Sequence, residues 1–211
     1  MPNYKEIDIQ NWDRKEHYLF FKDFDIPFFN ITANVDITTL HDKSKEEGFS
    51  LFLAYLFYSL KAAHQVEAFK YRILEDDKVV CYDIVHPGTT AINENNIFKY
   101  TYLNYHEDLM KFISQSEQDL KEQIKNPDLK PNSGLDLIYY SSIPWVSFTS
   151  FQHARKFSKN DCIPRIMFGK FFKEHEIIKM PVSVEVNHAL MDGYHVGQFI
   201  DTFQNMLNTV K

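Results

Sequence analysis

From Pro181 to Phe199 the chain reads PVSVEVNHALMDGYHVGQF, a stretch that changes its period halfway along. Val182, Val184 and Val186 alternate with Ser183, Glu185 and Asn187, the period of two that gives an extended strand one apolar face. After the turn and helix-entry signal Asp192-Gly193, the apolar residues Val196, Phe199, Ile200, Phe203, Leu207 and Val210 recur at helical spacing. A strand face is thus followed within a few residues by a helix stripe, and the chain mixes strands with helices.

Other segments extend this pattern. Leu53, Leu56, Phe57 and Leu60 predict a helix over Ser50 to His64, and Leu109, Phe112, Ile113, Leu120 and Ile124 predict another over His106 to Lys125. Strand signals run from Lys78 to Val85, Asn96 to Asn104, Leu137 to Ser142, Trp145 to Phe151, Pro164 to Phe172 and Ile177 to His188. Helices do not alternate one for one with strands, and Leu137 to Ser142 is joined too tightly to Trp145 to Phe151 for a helical crossover. The expectation is an α/β (α+β) fold, a two-layer mixed β-sheet covered by helices. With six Gly and eight Pro in 211 residues there is little linker material, and the stretch Asn126 to Gly134 reads as a loop. Residues 1–211 are therefore expected to form a single domain.

Charge and motifs exclude several classes. Net charge is −6 without a basic stripe, so nucleic acid is not an expected partner. Charges interrupt every apolar run in the first thirty residues, which leaves neither a signal-peptide core nor a membrane span and points to a cytoplasmic protein. Cys81 and Cys162, far apart in the chain, read as small buried hydrophobes. No G-x-G-x-x-G, G-x-x-x-x-G-K-[ST] or G-x-S-x-G occurs, so dinucleotide folds, P-loop enzymes and nucleophile-elbow hydrolases lack their signatures.

In an extended strand His188 points to the same side as the three valines and leaves the strand at its junction with the C-terminal helix. Three roles fit that place. It can be a core histidine, with Asp192 merely capping the helix. It can belong to a metal set with Asp192 and His195, although Gly193 and the strand argue against the continuous helix such spacing needs. It can be a general base whose local architecture a carboxylate maintains.

His188-Ala-Leu-Met-Asp192-Gly193 resembles the H-x-x-x-D-G signature of the coenzyme-A-dependent acyltransferases, and its surroundings resemble the chloramphenicol acetyltransferase branch. The likeness includes Asn11 to His17 (NWDRKEH), Val35-Asp36-Ile37-Thr38, Val85-His86-Pro87, Ile143 to Phe151 (IPWVSFTSF), Gly169-Lys170 and Asp192 to Gly197, in the same order over almost the whole chain. It implies a homotrimer with active sites between subunits, acetyl-CoA as co-substrate, no metal, and a small-molecule alcohol as acceptor. By position His188 falls on the catalytic base and Ser150 on the oxyanion-stabilising serine, while Asp192 and Arg14 fall on a buried ion pair that supports the site. Met167 stands near the reacting centre in place of a Thr. Phe20, Phe21, Phe24 and Phe98 are candidate walls of the acceptor pocket.

The chemistry fits those residue types. An alcohol is a poor nucleophile until a neutral imidazole accepts its proton, and the developing oxyanion needs a donor already aimed at it. Asn187 replaces the first of two adjacent histidines, Met191 replaces a Cys, and neither Thr89 to Ile92 nor Asn126 to Gly134 carries the family's aromatics. These departures leave the acceptor the least constrained part. The reading is O-acetylation of chloramphenicol; the alternatives are another xenobiotic or metabolite alcohol, or a catalytically silent trimeric drug-binding protein.

Overall fold

A computed structural model of the protein describes residues 3–125, 129, 132–155 and 160–210. Its organising element is the last and longest strand, β10 (Ile177–Asn187), followed closely by the C-terminal helix α5 (Gly193–Asn208). Before them come β1 (Tyr4–Glu6), α1 (Lys15–Phe21), β2 (Phe28–Asp36), α2 (Thr38–Glu47), α3 (Leu51–Gln65), β3 (Tyr71–Ile73), β4 (Val79–Tyr82) and β5 (His86–Ile92). These are followed by β6 (Phe98–Tyr102), α4 (Leu109–Gln123), β7 (Leu137–Ile143), β8 (Arg165–Gly169) and β9 (Phe172–Glu174).

The main sheet runs β2-β10-β8-β7-β5-β6, with β9 added beside β10, and β1, β4 and β3 form a small second sheet. β5, β7 and β8 are mutually parallel and the other pairs antiparallel, so the sheet is mixed as expected. β2 pairs with β10 along its whole length, from Asp36 opposite Lys179 to Phe28 opposite Asn187. Val182, Val184 and Val186 are fully buried on the helix side. There Phe199 of α5 stacks on Phe69, and Phe203 reaches Phe168 of β8.

Local chemistry sets the helix ends. Ser50 accepts a hydrogen bond from the Leu53 amide at the start of α3, and Asp108 accepts one from Lys111 at the start of α4. Gly48 ends α2 at φ +74°, the left-handed conformation that glycine adopts without steric cost. Of the two thiols, Cys162 is fully buried and Cys81 half-buried.

One expected strand is absent. Trp145 to Phe151 forms no strand, because β7 already has β5 and β8 on its two edges. The segment instead crosses the sheet face, with Trp145 and Val146 exposed and Phe148 packed so close to Gly169 that a Cβ there would lie 3.0 Å from its ring. The tight connection inferred for this pair therefore does not exist; β7 and β8 are parallel and joined by the long crossover 144–164. Pro164 to Phe172 also divides, β8 ending at Gly169 and β9 starting at Phe172. Most of the expected loop Asn126 to Gly134 lies outside the described residues.

Residues 15–47 hold three elements that periodicity alone leaves unassigned, α1, β2 and α2. β2 does alternate, Phe29, Ile31 and Val35 against Asn30, Thr32 and Asn34, but small Ala33 and the preceding Pro27 weaken the pattern. α1 is only seven residues long and α2 is largely polar, and tertiary packing holds them in place.

Candidate active site

The β10 register carries one residue past the strand. The His188 amide donates to the Pro27 carbonyl at 2.6 Å, and its side chain emerges on the side of Val184 and Val186. There the imidazole lies flat on Phe21 of α1, with centroids 4.1 Å apart and planes 7° off parallel, and tilts against Phe29 of β2 at 4.7 Å. Phe29 sits opposite Val186, so strand pairing brings it to this face. His188 is half-buried, and its Nδ1 is buried without a hydrogen-bond partner among the described residues. A purely structural histidine normally has its buried ring nitrogens paired. This one is held by ring packing, with part of its surface open.

Asn187 shapes the turn that follows. Its carbonyl accepts from the amides of Leu190 and Met191, and its Oδ1 accepts from Ala189 at 2.9 Å. Its Nδ2 donates to the Asp161 carbonyl at 3.1 Å. The amide thus takes up the polar contacts beneath the junction, at the position where the resemblance puts the first of two adjacent histidines.

Asp192 caps α5 by accepting from the Tyr194 amide at 3.0 Å and by closing a capping box with His195. Its other oxygen, Oδ2, accepts from Arg14 Nη1 at 2.7 Å, across 178 residues of chain. Burial opposes the carboxylate's charge, yet the Arg14 hydrogen bond, His195 and the Tyr194 amide outweigh it and hold its pKa down to about 2. The ion pair expected from the sequence is formed. Because Asp192 faces Arg14 while His188 packs between phenylalanines, the residues of the metal alternative do not form one donor set; among the described residues no three His, Cys, Asp or Glu converge.

The expected pocket residues separate into two groups. Phe20, Phe21 and Phe24 form one cluster with centroids 4.9 to 5.2 Å apart, and Phe20 and Phe24 project outward, 64% and 46% exposed, beside the His188 side. Met167 sits on the opposite face of the sheet, across from Ser183 of β10. Phe98 begins β6, the far edge strand, four strand spacings or about 19 Å from β10.

Ser150 lies exposed in the crossover and outside any strand, so the expected strand Trp145 to Phe151 does not hold it. Sequence reasoning passed over another serine on the Met167 face. Ser141 of β7 is half-buried, stands directly opposite Met167, and its hydroxyl lies 3.3 Å from that of Thr90 on β5. Its signal was the register between β7 and β8, which requires the parallel pairing to be known. Within one chain, then, the imidazole and the Ser141–Met167 pair occupy different sides of the sheet.

A family model described as chloramphenicol acetyltransferase matches residues 2–204. A chloramphenicol acetyltransferase of Staphylococcus aureus is 29% identical over 216 residues, spanning 97% of this chain and 96% of the relative. One from Proteus mirabilis is 28% identical over 94% of this chain and 92% of its own length. A solved chloramphenicol acetyltransferase structure superposes with a TM-score of 0.88 at 30% identity, covering 97% of this chain and 99% of that one. The dihydrolipoamide acetyltransferase of Azotobacter vinelandii superposes at 0.65 with 13% identity over 92% of this chain and 86% of that one, a likeness of fold alone.

Proposed function

The chain belongs to the chloramphenicol acetyltransferase family, and from that premise we propose that it transfers the acetyl group of acetyl-CoA to a hydroxyl of chloramphenicol in a ternary complex. The observation that carries the reading is His188 itself. Its half-open imidazole is gripped by Phe21 and Phe29 at a junction fixed by the Arg14–Asp192 pair.

In the proposed reaction the neutral imidazole of His188 accepts the acceptor's hydroxyl proton as that oxygen attacks the thioester carbonyl, a contribution of about 10²- to 10⁴-fold. The C–O bond forms, and a tetrahedral oxyanion develops. A serine hydroxyl donates to it, worth roughly 3 kcal/mol. Collapse breaks the C–S bond, and the departing thiolate takes the proton from the imidazolium, giving CoA thiol and the acetyl ester.

Two serines compete for the oxyanion role. Ser141 is the better supported, because it faces Met167, the position that the family resemblance puts near the reacting centre, and because the sheet holds it in place. Ser150 has the resemblance of its flanking residues but no fixed strand beneath it. We further read residues 1–211 as one acetyltransferase domain that works in the cytoplasm, where acetyl-CoA is available, as a homotrimer. The separation of His188 from Ser141, Met167 and Phe98 supports a site shared between copies. So do exposed Phe20, Phe24 and Ile26 on one side and Trp145, Val146 and Phe98 on the other.

A second acceptor is favoured by one observation. The strand Thr89 to Ile92, which would lie near the acceptor, carries no aromatic, so a different alcohol remains an alternative substrate of the same transfer. Incubating the protein with acetyl-CoA and chloramphenicol, then with a panel of hydroxyl-bearing antibiotics, and following thiol release decides between them. Drug binding without thiol release would support the silent binding protein instead.

A further inference from the structure

The outer face of β10 carries three polar residues, Ser183, Glu185 and Asn187, all at least 95% buried. Ser183 is satisfied by Asn30 on β2. Glu185 and Asn187 are tied to the crossover between β7 and β8. Arg155 Nε donates to Glu185 Oε1 at 2.7 Å, with Nη2 2.5 Å from the same oxygen, while its Nη1 donates to Asp161 Oδ2 at 2.6 Å. The guanidinium also lies 3.4 Å over the ring of Phe28, the residue paired with Asn187. Asp161 receives a second hydrogen bond from Arg165 of β8 at 3.0 Å, and its carbonyl holds the Asn187 side chain that orders the turn after His188.

We propose that Arg155 is a positioning residue for the His188 base, its planar fork clamping the crossover to the end of β10 so that Asp161 and Asn187 hold the turn 187–191 in place. Arg165 anchors the Asp161 carboxylate to β8, and among the described residues Arg155 is the side chain that joins that carboxylate to Glu185 of β10, beside the hydrogen bond from Asn187 to the Asp161 carbonyl. The two carboxylates and two guanidiniums balance. His153, whose Nδ1 lies 4.0 Å from Glu185, does not supply a substitute cation: burial, with Arg165 and Arg155 nearby, pushes its pKa down to about 4. A lysine at 155 would place a point charge where a fork spans two acids. The inference rests on His188 being the base, as proposed above, but the clamp can be read without the reaction.

The experiment compares Arg155→Met, Arg155→Lys and the charge-balanced Arg155→Met/Glu185→Gln in the full chain. Arg155→Met strands buried Glu185 and should melt well below wild type. The double variant leaves no unpaired charge on β10 and should melt within about 3 °C of wild type. Even so, its Ala189 and Met191 amides should exchange with solvent about tenfold faster, with Val184 in mid-strand unchanged. Its kcat should fall by about tenfold or more at constant KM for acetyl-CoA, with Arg155→Lys intermediate. Wild-type exchange at Ala189 in the double variant, or kcat recovered together with the melting temperature, would overturn the positioning role and leave charge balance alone. A wild-type protein that exchanges as expected but transfers no acetyl group would refute the proposed reaction, not the clamp.

Discussion

Replacing Asp192 by Ala removes two things at once, the partner of Arg14 and the cap of α5. Arg14 is 13% exposed at its side chain, and its Nε and Nη2 are buried without hydrogen bonds, so among the described residues Asp192 accepts the one hydrogen bond its guanidinium makes. Breaking a fully buried pair costs about 3–5 kcal/mol. Asp192 is 30% exposed, which allows water to reach the vacated place and puts the loss near the lower end. Losing the N-cap adds about 1 kcal/mol. A total of about 4 kcal/mol corresponds to a fall in melting temperature of roughly 8–16 °C for a chain of this size. Asp192→Asn, which still caps, should recover about 1 kcal/mol of that, and His188→Ala, which empties a half-open site, should melt close to wild type. The pH dependence has a definite sign. Since the folded carboxylate titrates below its ordinary 3.8, the pair stabilises above about pH 4, and its contribution is lost as pH falls towards about 2. Calorimetric melts of wild type, Asp192→Ala, Asp192→Asn and His188→Ala between pH 7 and 2.5 check this. Equal melting temperatures for Asp192→Ala and His188→Ala at pH 7, or a gap between wild type and Asp192→Asn that is undiminished at pH 2.5, would refute the ion-pair account.

Three other outcomes follow from the site. His188→Ala should lower turnover by about 10²-fold or more while acetyl-CoA binding, measured by calorimetry, stays near wild type; activity within tenfold of wild type contradicts the base assignment. Ser141→Ala should lower kcat by about 10²- to 10³-fold with little change in KM, and Ser150→Ala should be nearly silent; the reverse order returns the oxyanion role to Ser150. Sedimentation should give one species near three times 25.0 kDa, and subunits carrying His188→Ala mixed with subunits carrying Ser141→Ala should regain activity after exchange. An active monomer, or no recovery on exchange, removes the shared site.

Much of this was legible where the sequence pattern and the packing agree. The alternation of Val182, Val184 and Val186 placed His188 on the helix side, and Asp192-Gly193 marked the helix start, because both are local signals that the fold leaves unaltered. The Arg14–Asp192 contact spans the chain and came through resemblance; no local pattern could supply it. Trp145 to Phe151 misled because its alternation serves packing across a sheet face, with Phe148 against Gly169, instead of edge pairing. With that strand goes the support beneath Ser150, whose assignment came through the resemblance. Ser141, Phe29 and Arg155 depend on which strands are neighbours, and the parallel pairing of β7 with β8 joins segments separated by a crossover that contains no helix among its described residues.

The central claim is acetyl transfer with His188 as the base, and steady-state thiol release with acetyl-CoA and chloramphenicol, in wild type and His188→Ala side by side, tests it most directly. The account predicts stoichiometric formation of CoA thiol and an O-acetyl ester by the wild type and a loss of at least 10²-fold in the variant. Drug bound by the wild type with no thiol released, or equal rates in the two proteins, would contradict it.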